Sequence, residues 1–247
     1  MEEKRSEAAV EARIWFAEKL ADQGLAVGEE QLDLFERYYE LLTDWNERMN
    51  LTAITGKDEV YAKHFFDSLT VAMAVPVGQM KTAADIGTGA GFPGLPLKIL
   101  FPRLKLLLVD SLRKRIQFLE HAAAELGLKD VVCLHGRAED LARRPDLRDR
   151  FDLVTARAVA RLNVLGELCL PFVRPGGSFV AMKGPQGREE LAEAERGIRL
   201  LRARVAVVRT VRLPLEDAER TLIVLEKTGS TPDAYPRRAG IPARNPL

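Results

Sequence analysis

Apolar and polar residues recur along this chain in two different rhythms, and the change between them falls near residue 75. From about Glu7 to Gln23, the residues Val10, Ile14, Ala17 and Leu20 repeat on one helical face, and Gly24 stops the pattern. A second amphipathic helix is predicted from Glu29 to about Met49, with Leu32, Phe35, Tyr39, Leu42 and Trp45 on a common side. A third, from Asp58 to about Ala74, carries the string H-F-F-D-S-L. After Val75-Pro76, short apolar runs alternate with amphipathic stretches. Strands are predicted at 82–87, 105–110, 130–135, 151–156, 177–183, 204–213 and 220–227, and helices at 94–101, 112–127, 162–173 and 187–201. Such alternation specifies a mostly parallel sheet with helices on both faces. The last two strands are joined only by the short stretch from Pro214 to Glu219, so they are expected to pair antiparallel. Three segments result: a helical cap over 1–75, an α/β domain over 76–229, and a basic, proline-rich tail over 230–247.

The chain is organised around A-A-D-I-G-T-G-A-G-F-P-G-L-P-L, residues 83–97. An apolar strand ends in Asp85, four glycines follow at 87, 89, 91 and 94, and a helical pattern then begins. A strand, a tight glycine loop and a helix start bring backbone close to a nucleotide-like ligand. Gly89, Gly91 and Gly94 fit a dinucleotide fingerprint, whereas Asp85-x-Gly87-x-Gly89-x-Gly91 resembles the first motif of S-adenosylmethionine-dependent methyltransferases. A pyrophosphate needs helix N-terminal amides, and Pro93 and Pro96 remove two of them. S-Adenosyl-L-methionine has no phosphate, so an acidic strand end and close backbone suit it better. A glycine-rich turn without a ligand is the plainer alternative.

Further candidates lie at the carboxyl ends of the following strands. Asp110 ends L-L-L-V-D, where a carboxylate can accept both hydrogen bonds of a ribose diol, and Ser111 and Leu112 would flank adenine. The alternative, Asp110 as the cap of the helix that begins near Leu112, is the less favoured of the two. Ala138 and Glu139 follow the third strand, at the lip of the same crevice or merely at a solvated helix start. Arg157 ends the fourth strand, an unusual place for a solvated charge. No N-P-P-Y-like tetrapeptide stands there to polarise an exocyclic amine. Cys133 and Cys169 lie in apolar surroundings and read as core thiols, not nucleophiles. Guanine N7 needs neither base nor covalent intermediate, so alignment supplies most of the catalysis. Arg157, Lys183 and His64 are the candidates for positioning the guanine.

Composition narrows the partners. At 247 residues and 47% apolar, the chain can bury a full core. No apolar run approaches a membrane span, the opening M-E-E-K-R-S-E is too charged for a secretory signal, and two cysteines suit a reducing compartment, so a cytoplasmic protein is expected. The net charge is +1, but residues 1–50 carry 13 acidic and 6 basic side chains, leaving the remainder basic. That imbalance permits an anionic partner such as RNA. In the tail, either a disordered end or an extended segment is expected, the latter presenting Arg237, Arg238 and Arg244 to phosphates. The three histidines and two cysteines show no metal spacing, and no metal is expected.

Several strings together resemble one family across nearly the whole chain. They are N-L-T-A-I (50–54), H-F-F-D-S-L (64–69), the glycine loop (85–97), S-L-R-K-R-I-Q-F-L (111–119), G-R-A-E-D (136–140), T-A-R-A-V-A (155–160), M-K-G (182–184) and the C-terminal Y-P-R-R-A-G-I-P-A-R-N-P-L. They are similar to the RsmG family, also called glucose-inhibited division protein B. The resemblance implies a seven-stranded, Rossmann-like class I methyltransferase fold. It implies methyl transfer from S-adenosyl-L-methionine, with S-adenosyl-L-homocysteine as product, to guanine N7 of 16S ribosomal RNA near the decoding centre. It also implies cofactor contacts at Gly87, Phe92, Ala138, Glu139 and Arg157, to which the residue-level reading adds Gly89, Asp110, Ser111 and Leu112. A monomer acting on 16S rRNA or the small ribosomal subunit is expected. The N-terminal extension is longer, and the tail richer in arginine, than the family pattern. Two other readings compete: a small-molecule methyltransferase, opposed by Arg137, Arg143, Arg144, Arg148 and the tail, and a non-catalytic RNA-binding assembly factor.

Overall fold

The computed structural model describes residues 2–215 and 218–247. Seven strands form one sheet in the order β3-β2-β1-β4-β5-β7-β6. They are β1 (Thr82–Ile86), β2 (Lys105–Asp110), β3 (Val131–His135), β4 (Phe151–Arg157), β5 (Val173–Lys183), β6 (Ala203–Arg212) and β7 (Glu219–Lys227). The first five pair in parallel, and β7 runs antiparallel between β5 and β6. The expected antiparallel ending is therefore present, with β7 threaded inward and β6 left at the edge. Order reverses beside β1 and β4, the place where open α/β sheets hold ligands at their strand carboxyl ends.

Period-two alternation sorts the strand residues into two cores. Leu106, Leu108, Val180, Met182 and Val224 face one way, into a core shared with the N-terminal helices and the Gly94–Leu100 and Arg113–Glu125 helices. Leu107, Val109, Phe179, Ala181 and Ile223 face the other, against the Leu162–Cys169 and Gly187–Leu200 helices. The N-terminal helices thus belong to the same packed body as the sheet. Phe16, Phe35, Tyr38, Tyr61 and Phe65 form a buried aromatic cluster with ring centroids 4.9–6.4 Å apart. Gln31 reaches across from the Glu29–Met49 helix and donates Nε2 to the carbonyls of Ile99 and Leu100 at 2.9 and 3.0 Å, satisfying orphan acceptors where the Gly94–Leu100 helix ends.

Several boundaries and faces differ from the sequence expectation. The first helix runs Glu2–Ala21 and buries Ala12, Phe16 and Leu20, while Ile14 is exposed; the side chain of Val10 lies outside the described residues. In the second, Tyr38 is buried in place of Tyr39, because its hydroxyl reaches the glycine loop. The third is broken: Lys57–Val60 leads into a π-turn over Tyr61–Phe66, followed by Asp67–Leu69 and Val71–Ala74. Glu216 and Asp217 of the expected hairpin connection lie outside the described residues. The tail is neither disordered nor extended. It folds against the second core, with Tyr235 and Leu247 packed there and a short helix at Ile241–Arg244.

Candidate active site

The glycine loop is held shut from within. Asp85, fully buried at the end of β1, accepts from Thr88 Oγ1 (2.6 Å), Gly94 N (2.9 Å) and Thr155 Oγ1 (3.2 Å). Burial pushes its carboxyl up to about 6, against these hydrogen bonds. It is therefore the loop's internal brace, not the ligand-facing acid expected from its place at the strand end. Gly87 has φ +70°, and a Cβ there would stand 2.6 Å from Val159 Cγ2. At Gly91 a Cβ would stand 2.6 Å from the Tyr38 hydroxyl, which donates to the Ala90 carbonyl at 2.5 Å. Glycine is thus demanded by neighbours as well as by the turn.

Three adjoining hollows run along the strand ends. The first, about 90 Å³, is bordered by Gly87, Asp110, Ser111, Ala138, Glu139 and Leu168, among others. The second, about 180 Å³, shares Gly87 with it and adds Thr52, Gly89, Phe92 and Arg115. The third, about 340 Å³, is bordered by Lys63, Leu213, Pro214 and Arg220. His64, Arg157 and Ala158 border both the second and the third, forming the seam between them. Ala158 sits at φ +57°, a strained conformation for a residue with a Cβ at this lip.

The seam is tightly wired. Arg157 Nη1 donates to Asp67 Oδ2 (2.8 Å) and to the Lys63 carbonyl (2.9 Å), and Nη2 donates to His64 Nδ1 (3.1 Å). His64 Nδ1 also lies 3.2 Å from the Lys63 carbonyl and Nε2 2.9 Å from Thr52 Oγ1; because arginine cannot accept, the Arg157 contact favours the tautomer with its proton on Nε2. Burial, reinforced by the Arg157 charge, lowers the imidazole to about 4, so it is neutral near pH 7. Its ring stacks on Phe92 at 4.5 Å, and the Arg157 guanidinium lies 5.0 Å from the same ring. Asp67, with no exposed side chain, also takes a two-pronged contact from Arg220 at 2.6 and 2.7 Å. The π-turn is what makes this possible: its extra residue helps place Lys63 O, His64 and Asp67 on one side.

Of the residues singled out in the sequence, Gly87, Gly89, Phe92, Asp110, Ser111, Ala138, Glu139, His64 and Arg157 line these hollows. Asp110 accepts from Gly89 N (3.0 Å), Leu112 N (2.9 Å) and Arg115 Nη1 (3.2 Å), which ties the loop to the next helix. Leu112 is 42% exposed beside that turn and borders none of the three hollows. Lys183 is corrected. Its ammonium donates to the Ala160 carbonyl (2.6 Å) and pairs with Glu190 (2.7 Å), so it ties β5 to the neighbouring helix and borders none of the three hollows. Arg237 is corrected too: its guanidinium closes on the buried Glu167, while Arg238 and Arg244 are exposed. Arg143 and Arg148 donate to tail carbonyls and Arg144 pairs with Asp146, leaving Arg137 as the exposed member of that cluster not spent on these contacts. Asp67, Arg220, Lys63 and Thr52 escaped the sequence reading as site residues. Asp67 and Thr52 carried a signal, as the acid of H-F-F-D-S-L and the threonine of N-L-T-A-I.

The donor set discriminates between ligands. Gly87 N and Thr88 N donate to the Val109 carbonyl, Gly91 N and Phe92 N to the Thr88 carbonyl, Gly89 N to Asp110 and Gly94 N to Asp85. These amides are spent within the protein, so a pyrophosphate would find few donors here. A ligand with a nucleoside and a cationic chain, offering donors of its own, fits better. A family model for rRNA small subunit methyltransferase G matches residues 31–222. This chain belongs to that family. Proteins named ribosomal RNA small subunit methyltransferase G from Brevibacillus brevis and Staphylococcus carnosus are each 51% identical to it, over 94% of this chain and 98% of theirs. Among solved structures, a candidate O-methyltransferase from Klebsiella pneumoniae superposes with a TM-score of 0.58 at 14% identity, covering 86% of this chain and 96% of that one. The YcgJ protein of Bacillus subtilis gives 0.51 at 14%, covering 67% and 100%. These two likenesses concern the fold. Among the described residues, no cluster suits a metal ion and no helix is long and apolar enough to cross a membrane.

Proposed function

We propose that this protein transfers a methyl group from S-adenosyl-L-methionine to N7 of a guanine in 16S ribosomal RNA, acting in the cytoplasm on the RNA or the small subunit. The observation that carries this reading is the seam: one wall of His64, Arg157 and Ala158 separates the glycine-loop hollow from a larger hollow rimmed by Arg220 and Lys63. When bound, the cofactor supplies an electrophilic methyl group on a sulfonium centre. Gly87, Gly89 and Phe92 would hold its amino-acid end, and Asp110, Ser111, Ala138 and Glu139 its adenosine.

The chain's own residues then orient the acceptor. N7 carries a lone pair and no proton, so no general base is required. The side chains at the seam suit that demand. His64 is neutral with both ring nitrogens engaged, and Asp67, Asp85 and Asp110 are all occupied by donors. Burial pushes the Cys133 thiol up to about 12 and the Cys169 thiol well above its ordinary range, which disfavours a covalent route through either. Among the described residues, Arg157 and Arg220 share the single charge of Asp67, a positive surplus at the larger hollow that favours an anionic nucleotide and the O6 edge of guanine.

The test is transfer of labelled methyl into small-subunit RNA from cells lacking the protein, followed by cleavage at N7-methylguanine. Label at one guanine, lost in Arg157→Ala, is the expected result. Label on another atom of the base would overturn the N7 assignment, and no label on RNA or subunit would overturn the substrate.

A further inference from the structure

The tail is anchored to the walls of the cofactor hollow, which nothing in its role as a phosphate-binding arm requires. Gly240 N donates to Glu139 Oε1 at 2.9 Å, and Glu139 borders the smallest of the three hollows. Arg237 donates to Glu167 four times, from its backbone N (2.6 Å), from Nε to both oxygens (3.0 Å each) and from Nη2 (2.5 Å). Glu167 has no exposed side chain, and its chain neighbour Leu168 borders the same hollow. Upstream, Arg148 donates to the carbonyls of Thr231, Pro232 and Tyr235 at 2.9, 3.1 and 2.8 Å. Arg143 donates to that of Pro236. Downstream, Arg237 Nη2 also holds the Asn245 carbonyl at 2.8 Å.

Exposed Arg238 therefore stands between two anchor points, Arg237 and Gly240, that lie three residues apart and so within about 10 Å of each other. Each anchor point grips a different wall of the hollow, the Ala138–Leu141 turn and the Leu162–Cys169 helix. Arg244 is exposed on the short helix that closes the same loop. We propose that residues 231–247 form a strap that braces the walls at the adenosine end of the cofactor hollow. RNA phosphates engaged by Arg238 and Arg244 seat the strap, and the strap fixes Glu139 and the Leu168 wall, so RNA and cofactor each raise the affinity for the other. The coupling is reciprocal by thermodynamic necessity, and couplings of this kind span roughly 5- to 150-fold. It rests on the functional reading above for the identity of the anion and of the cofactor.

The experiment titrates S-adenosyl-L-homocysteine into the full-length protein by calorimetry, with and without small-subunit RNA. It compares wild type, Arg237→Gln and the double variant Arg238→Ala/Arg244→Ala, each checked for a cooperative thermal transition. In wild type, RNA is expected to tighten the nucleoside about fivefold or more. Arg237→Gln is expected to weaken binding without RNA and to abolish the RNA-dependent gain, with faster amide exchange over residues 136–142. The double variant is expected to lose the RNA-dependent gain. An Arg237→Gln protein that matches wild type in affinity and exchange overturns the strap. So does RNA that accepts methyl from wild type yet leaves nucleoside affinity unchanged. Failure of methyl transfer overturns the functional reading instead, and the RNA-free comparison of Arg237→Gln with wild type does not depend on it.

Discussion

Asp67 and Glu167 are both carboxylates without exposed side chains, and both are met by arginine, yet the two regions use the same pairing differently. Glu167 faces one guanidinium, which also takes its backbone partner and leaves a neutral, saturated joint between the tail and a helix. Asp67 faces two, Arg157 and Arg220, each only partly buried and each bordering the larger hollow. One carboxylate against one arginine makes a fastening. One carboxylate against two makes a platform that, among the described residues, leaves one guanidinium charge uncompensated at the border of the larger hollow. Burial alone does not distinguish the two acids; the number of arginines around each does.

The sharpest way to break this contrast is to remove the acids. Asp67→Ala leaves two guanidiniums close together without their counter-charge, and we expect a loss of about 3–5 kcal/mol in urea unfolding together with loss of methyl transfer. Glu167→Gln keeps its shape and hydrogen-bonding oxygen, and is expected to cost less in stability than Asp67→Ala. Equal costs for the two would contradict the distinction. Next in size is Arg157→Ala. Asp67 keeps Arg220, so the fold survives, but the seam loses its link to His64, Phe92 and the Lys63 carbonyl. Transfer should drop at least about 100-fold, the scale for a misplaced acceptor, and an effect on KM alone would count against a role in alignment.

A smaller effect separates shape from strain in the glycine loop. Gly87→Ala meets Val159 at 2.6 Å and also suffers at φ +70°, whereas a Cβ at Gly89, φ +62°, meets nothing within 4 Å. Both pay about 1 kcal/mol for the left-handed backbone, so the extra loss of nucleoside affinity in Gly87→Ala measures the contact. Indistinguishable dissociation constants would mean Val159 yields freely. The least dramatic test is by pH. His64 binds its proton less tightly in the fold, at about 4, than in the unfolded chain near 6.5, so its contribution is complete above about 6.5 and is lost as pH falls toward 4. Asp85, raised to about 6, acts with the opposite sign: its folded form takes up a proton first, so it lowers stability as pH rises from about 4 to 6. Their sum is nearly flat in that window. Asp85→Asn should leave stability rising with pH across that window, and His64→Gln should leave it falling.

The strand ladder and the antiparallel ending were legible because both depend on local alternation and connection length, which a sequence displays directly. The glycine loop was legible for the same reason, since its neighbours along the chain dictate its turn. The partners of Lys183 and Arg237 are not legible in the sequence, because a cation's partner is set by packing. Glu190 lies on the following helix and Glu167 70 residues upstream, and neither pairing leaves a local mark. Arg220 was invisible as a site residue: its strand looks like any other, and it matters only because β7 inserts next to β5. The break in the third helix was equally hidden, because a π-turn keeps the amphipathic composition of the helix it interrupts.

That insertion has a consequence for timing. The acid of the platform is residue 67 and its second arginine lies 153 residues later, so a ribosome adding about 5–20 residues per second needs roughly 8 to 30 s to supply the partner. For most of that interval the emerging chain carries the glycine-loop sequence without Arg220, which borders the largest of the three hollows. The last strand thus completes the ion-pair group around Asp67: a fragment cut short before it would carry the glycine-loop sequence but leave that buried acid without its second arginine.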